Sequence, residues 1–377
     1  MTRILCLPFF LMLLSAPRTW ANEPLPPEYP DHSSLLVYRS ADGTEHPVRD
    51  KEDWGIRRAH ILAGMQQVMG PLPERTNLPP LDARILDRAK IDDVVRLTMT
   101  LETEPGDRLW AYLFLPEEKM PEPRRPGILA LHPTARELGK KIVAGQGPRP
   151  NRAYALELAR RGYVVIAPDY LNSGDYQVDF RVAGYLSATM KGIFNHMRCI
   201  DLLQSRDDVD PERLGAIGHS LGGHNAMFVG VFDPRIKAIV SSCGWTPFHD
   251  YYGGNLAGWS HDGYMPLLKT KYALDPDRVP FDFYEVVAAL APRAFFSNSP
   301  LGDDNFDHRG VRKAIAQAKT VYALFDAAEE LQVRYPDAGH DFPPKVRREA
   351  YQFLDRVLKH TPRDCVLEGE ERRMTKP

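Results

Sequence analysis

The chain has 377 residues, 43% of them hydrophobic, enough for one large catalytic domain with an appendage or for two small domains. Its net charge of -2 argues against a nucleic-acid partner, which would leave a basic footprint. Of its 33 prolines many precede Pro133, interleaved with aromatic and aliphatic residues, so the N-terminal stretch reads as extended and ordered rather than disordered.

The first residues have the layout of an export signal. Thr2 and Arg3 precede an apolar run over residues 4–16, and Thr19-Trp20-Ala21 offers a small-x-small cleavage site. The run is short for a membrane span, so cleavage before Asn22 is expected over an uncleaved anchor, with a periplasmic or secreted product and no stable membrane insertion. Cys6 lies inside the run, which argues against a lipoprotein, and Cys199, Cys243 and Cys365 remain after cleavage. Three cysteines allow at most one internal disulfide, so stability should come from the core.

Apolar positions Ile56, Ala59, Ile61, Met65 and Val68 predict a helix over 54–69, stopped by Gly70-Pro71. A proline-punctuated segment follows to about Lys90. Residues 96–103 and 108–115 read as two strands joined by the turn Pro105-Gly106-Asp107, an antiparallel hairpin. From Gly127 strands and helices alternate: strands at 128–132, 163–167, 214–218, 236–242, 294–298 and 332–335, helices at 153–161, 182–205, from Leu221, at 311–328 and at 345–360. The polar stretch Asp210-Pro211-Glu212-Arg213 reads as a turn before its strand. This rhythm predicts an α/β fold with a mostly parallel sheet flanked by helices. The interval 245–290 breaks it and reads as a lid-like insertion after the sixth strand, over the sheet edge where ligands bind in open α/β sheets. The expected organisation is a signal peptide (1–21), an N-terminal extension packed on the core (22–95), a catalytic domain (96–362) and a tail (363–377).

Gly218-His219-Ser220-Leu221-Gly222 fits G-x-S-x-G, with an apolar strand before it and a predicted helix after it. That is the context of a nucleophile elbow, where small residues let a tight turn project the serine oxygen beyond the sheet. A serine hydroxyl needs a base to take its proton. His340 lies on the loop between the last predicted strand and the last helix, in the chain order serine, acid, histidine. Because this imidazole must be neutral to act, acidification should lower activity. His219 and His224 are assigned structural roles. The acid should follow the strand at 294–298, where Asp303, Asp304 and Asp307 compete; Asp303 comes first, and the others could solvate the loop or cap the next helix. The oxyanion hole needs two backbone N–H donors. Leu221 is one, and Thr134 the other, because Pro133 carries no N–H. His132 is expected to shape that loop.

With these residues placed, the chain resembles the α/β-hydrolase superfamily, and within it the bacterial acetyl xylan esterase and dienelactone hydrolase-like group. The resemblance runs over about 126–359, through Leu131-His132-Pro133-Thr134, the phrase at 156–163, Ala167-Pro168-Asp169-Tyr170, the region 208–223, Ala291-Pro292-Arg293 and Gly339-His340-Asp341. It implies a serine esterase working through an acyl-enzyme, with no cofactor. Dienelactone hydrolases proper use cysteine at the elbow where this chain has Ser220, and glucuronoyl esterases carry arginine where it has Leu221. Oligopeptidase-type serine peptidases share the 213–223 style but usually carry a β-propeller, for which the segment before Gly127 is too short.

The interval 245–290 is rich in aromatics. Trp245, Tyr251, Tyr252 and Trp259 are candidates for a substrate-facing wall that stacks on sugar rings, the alternative being that such rings pack the insertion onto the core. Gly253-Gly254 and Gly258 could let it move. His249, Asp250, His261 and Asp262 match no metal-binding spacing, so no metal is expected. The expected partner is a small-molecule or oligosaccharide ester. A peptidase or amidase with the same triad, and a non-catalytic carbohydrate-binding protein on a hydrolase scaffold, are the alternatives.

Overall fold

A computed structural model of the chain describes residues 26–117 and 124–367. The expected signal at 1–21 and residues 368–377 of the expected tail lie outside them. No helix of the described residues is long and apolar enough to cross a membrane.

A small hairpin, β1 (Val37–Arg39) with β2 (Glu45–Pro47), precedes helix α1 (Lys51–Met69). Three antiparallel strands follow: β3 (Arg84–Ile91), β4 (Val94–Glu104) and β5 (Asp107–Pro116). The alternating part comprises β6 (Arg125–Leu131), α2 (Tyr154–Arg160), β7 (Val164–Pro168), α3 (Ala188–Gln204), β8 (Val209–His219), α4 (Leu221–Phe232) and β9 (Ile236–Ser242). After the short helices α5 (Leu267–Thr270) and α6 (Phe283–Ala288) come β10 (Ala294–Asn298), α7 (His308–Ala323), β11 (Leu331–Arg334) and α8 (Pro344–Val357). The nine-stranded sheet runs β11-β10-β9-β8-β6-β7-β5-β4-β3, and it is parallel from β11 to β7.

Strand side chains alternate between two cores, as a period of two requires. Leu129, Leu131, Val164, Ile166, Leu214, Ala216 and Phe295 join α1, α3, α4, α6 and α7 on one face. Ile128, Ala130, Val165, Ala167, Ile217 and Phe296 join α2 and α8 on the other. The parallel strands are buried on both faces, which is why they read as unbroken apolar runs.

Several boundaries differ from the sequence reading. The proline-punctuated segment ends in a strand, β3, whose RILDRAKI sequence is mostly exposed; its charges suit a sheet edge, where they discourage further pairing. The polar stretch 210–213 lies inside β8, at an irregularity of the β6–β8 register, rather than in a separate turn. Helix α3 starts only at Ala188, because Gly184 takes φ 81° and Ser187 caps the helix by accepting from the Met190 N–H. Cys199, Cys243 and Cys365 are free thiols.

The N-terminal segment is locked to the part of the chain after β9. A Cβ on Gly64 of α1 would stand 2.2 Å from the Pro280 carbonyl, so the two segments touch through backbone. Buried Arg57 pairs with Glu285 of α6, and His32 contacts the same carboxylate at 2.9 Å. Burial by itself would lower the His32 pKa, but Glu285 overrides it and lifts the imidazole to about 9. An unfolded histidine titrates near 6.5, so this pair stabilises the fold fully below about pH 6.5 and loses its contribution as pH rises through about 9. Urea titrations of wild type and His32→Gln should therefore differ most near pH 6 and converge by about pH 10. A difference that stays constant with pH would show that His32 is not charged by folding.

Candidate active site

Strand β8 ends at His219, Ser220 turns at φ 56°, ψ -119°, and α4 begins at once with Leu221. Positive φ is costly for a residue with a side chain, and it persists here because the surroundings fix the turn. The Ser220 N–H donates to the Ser242 carbonyl at 2.8 Å, and the Gly223 N–H donates to the Ser220 carbonyl at 2.8 Å. The motif glycines are required by contact: a Cβ on Gly218 would sit 2.0 Å from the Gly222 carbonyl, and one on Gly222 would sit 2.0 Å from that of Leu131. This packing puts Gly222, in the first turn of α4, against the end of β6.

His340 follows β11 and places Nδ1 3.0 and 3.1 Å from the two carboxylate oxygens of Asp303. The Asp303 side chain is fully shielded from solvent, while that of His340 is 21% exposed, so the pair has one open end. Burial alone would raise the Asp303 pKa. The His340 hydrogen bond and the N–H groups of Asn305 (2.9 Å) and Phe306 (3.1 Å) override it and hold the carboxyl below its ordinary value. Of the three competing aspartates only Asp303 contacts His340 among the described residues. Asp307 caps α7 through the Arg309 N–H, and Asp304 is exposed.

Ser220 follows β8 and His340 follows β11, so both lie at the C-terminal edge of the parallel sheet. The ring of His219, next to Ser220 in the chain, lies 4.9 Å from the His340 ring. Burial pushes His219 well below the ordinary imidazole range and His224 down to about 3, so both are neutral. His219 is tied to Ser242 Oγ at 3.0 Å. His132 is buried, and its Nε2 accepts from the Tyr170 N–H at 2.9 Å, which anchors the loop that carries Thr134. Thr134 is exposed, with Oγ1 3.3 Å from the Tyr264 hydroxyl.

Sequence reasoning missed the residues that hold the His340 loop. Arg152 ion-pairs with Asp341 at 2.5 Å and donates to the His340 carbonyl at 3.1 Å. Asn151 donates to Asp341 at 2.8 Å, and Asn298 donates to the Asp341 carbonyl at 2.9 Å. Cys243, at φ 48°, lies beside Asp303 and His340. These partners are far from one another in sequence, and the one local signal was an aspartate directly after His340.

The aromatic wall needs correction. Trp245 is 1% exposed, donates from Nε1 to Ser297 Oγ at 3.1 Å and stacks on Phe283, so it is core and not a substrate contact. Tyr251 and Trp259 are buried too, one against the other. Tyr252 alone of the four is exposed, at 58%. It lines a cleft of about 490 Å³ together with Leu301, Asp303 and Asp304. From it a line of rings runs through Tyr251 and Phe306 to His340, with centroid spacings of 4.8, 5.8 and 6.0 Å. Trp245→Ala should thus cost about 3–5 kcal/mol of stability, whereas Tyr252→Ala should leave stability within about 0.5 kcal/mol and raise KM. Denaturation curves and substrate titrations on both variants check this, and a destabilising Tyr252→Ala would refute the contrast. His249, Asp250 and Asp262 pair separately with Asp277, Lys313 and Arg181.

The chain is similar to known proteins over most of its length. The chain is 26% identical over 312 residues to YtaP of Bacillus subtilis (strain 168), whose name claims an unspecified hydrolase; the match spans 80% of this chain and all of that protein. A glucuronoyl esterase from Solibacter usitatus superposes with a TM-score of 0.65 at 20% identity, over 89% of this chain and 98% of that one. A carbohydrate esterase family 15 glucuronoyl esterase from Caldicellulosiruptor kristjansonii gives 0.64 at 18% identity, over 91% and 95%. These likenesses establish the α/β-hydrolase fold. The family match lies in the part of the chain that carries Ser220, Asp303 and His340, and it corrects the sequence reading that set this family aside for its β-propeller. Residues 151–361, more than half of the chain, match the prolyl oligopeptidase family, and the chain belongs to that family of serine hydrolases.

Proposed function

We propose that the protein is an exported serine esterase that cleaves carboxylic esters, among them acetyl or other acyl esters of carbohydrates. The observation that carries this reading is the hydrogen bond from His340 to the shielded Asp303, at the sheet edge where Ser220 forms its elbow. In the mechanism, His340 Nε2 takes the Ser220 proton as Oγ attacks the ester carbonyl. The Leu221 and Thr134 N–H groups hold the oxyanion, and His340 then protonates the departing alcohol. Water enters by the same route, forms the free acid and restores Ser220. Asp303 fixes the imidazole tautomer and stabilises its cation without taking the proton. The acyl-transfer steps need no cofactor.

The carbohydrate part of the proposal is supported by the esterases the fold matches and by the signal-like residues 1–21. Leu221, where glucuronoyl esterases carry arginine, favours a neutral acyl ester over a uronoyl ester. A second reading, peptide or amide cleavage with the same residues, is favoured by the family match. The deciding experiment compares p-nitrophenyl acetate, acetylated xylo-oligosaccharides, a methyl glucuronoyl ester and a prolyl peptide as substrates. Turnover of the first two is the expected result. Cleavage of the peptide without cleavage of any ester would replace the esterase reading by the peptidase one.

A further inference from the structure

Three side chains of different chemistry meet behind the exposed face of His340. The Cys243 thiol, the Asp303 carboxylate and the His340 ring each offer one ligand atom, and these atoms lie within 4.8 Å of one another. Ligands about 2.0–2.3 Å from a tetrahedral zinc ion stand roughly 3–4 Å apart, so a small inward adjustment closes the set. Sulfur, imidazole nitrogen and carboxylate oxygen together suit zinc, whereas magnesium and calcium prefer oxygen alone. Acyl transfer makes no use of Cys243, which is held in place by its N–H on the Asn298 carbonyl at 2.8 Å and its Sγ 3.2 Å from the Asp341 carbonyl. There is also a path of approach. The cleft of about 490 Å³ has Asp303 in its wall beside the exposed Asp304, while Asp250 and Asp307 of the same wall are already paired with Lys313 and Arg309.

We propose that Cys243, Asp303 and His340 form an inhibitory zinc site that switches the hydrolase off reversibly. The inhibition rests on the reading of His340 as the base for Ser220; the metal site does not. On binding, Cys243 loses its thiol proton to solvent and forms the Zn–S bond. The His340 proton moves from Nδ1 to Nε2, freeing the Nδ1 lone pair for the metal, and Asp303 exchanges its hydrogen bond for a Zn–O bond. With Nε2 protonated, no lone pair is left to take the Ser220 proton, so the nucleophile cannot be activated.

The test uses the full chain, with Co²⁺ as the spectroscopic probe and Zn²⁺ as the inhibitor. Ser220→Ala protein given Co²⁺ should develop a thiolate-to-cobalt charge-transfer band in the near ultraviolet, and added Zn²⁺ should remove it. Wild-type hydrolysis should be inhibited by roughly micromolar Zn²⁺ and restored by a chelator. In Cys243→Ser the half-inhibiting concentration should rise by at least about tenfold, read as a ratio whatever rate that variant has. No thiolate band, or equal zinc sensitivity of wild type and Cys243→Ser, would overturn the site. If Cys243→Ser does not fold, the cobalt band decides. A band on a protein whose hydrolysis ignores Ser220 would keep the metal site and remove the inhibition with the catalytic reading. A Ser220-dependent hydrolase indifferent to Zn²⁺ would overturn the proposal alone.

Discussion

Ser220→Ala should lower kcat/KM for p-nitrophenyl acetate by about four to six orders of magnitude, leaving a residue of rate that comes from binding and oxyanion stabilisation. On the proposed mechanism the loss is large because Ser220 Oγ itself forms the bond to the acyl carbon. Ser220 occupies the turn at φ 56° between β8 and α4. Its neighbours His219 and Leu221 are buried in the strand end and the first turn of the helix. Folding should be unaffected, since the substitution removes one oxygen and leaves the backbone bond to Ser242 intact. Equal thermal midpoints with unequal rates would place the effect in chemistry. Equal rates would exclude Ser220 as nucleophile and with it the acyl-enzyme mechanism.

What could be read in advance follows a physical rule. Parallel strands buried on both faces announce themselves as apolar runs, and the elbow announces itself because three of its positions tolerate no side chain beyond the serine. Strand β3 was hidden since its charges serve an exposed sheet edge and give no apolar periodicity. The aromatic interval misled for the opposite reason. A large ring reads the same whether it faces a ligand or a core, and Trp245 is held in the core by Phe283, Phe295 and Ser297 from later segments. The clamp on the His340 loop was equally invisible, because Arg152 and Asp341 are joined by the fold and not by spacing. Chain order narrowed the acid to three aspartates, and only three-dimensional contact separates them.

That separation gives the second large effect. Asp303→Asn should lower kcat/KM by about four orders of magnitude, roughly 5.5 kcal/mol of transition-state stabilisation, with little change in fold. The amide can still accept from the Asn305 and Phe306 N–H groups through its oxygen. Its nitrogen then takes the Oδ2 position, 3.1 Å from His340 Nδ1, where a donor meets a donor and favours moving the imidazole proton to Nε2, although the retained oxygen stays 3.0 Å from the same Nδ1. In that tautomer His340 cannot accept the Ser220 proton, and the cation it would form has lost its carboxylate. Asp304→Asn alters an exposed side chain and should stay within about twofold of wild type. Asp307→Asn keeps a residue type that caps helices well, so α7 should hold and the rate should change little. Measured side by side under identical conditions, the three variants should therefore rank with Asp303→Asn far below the other two. A collapse confined to Asp304→Asn or Asp307→Asn would move the acid along the loop, and three active variants would mean that His340 is oriented without any carboxylate of this segment.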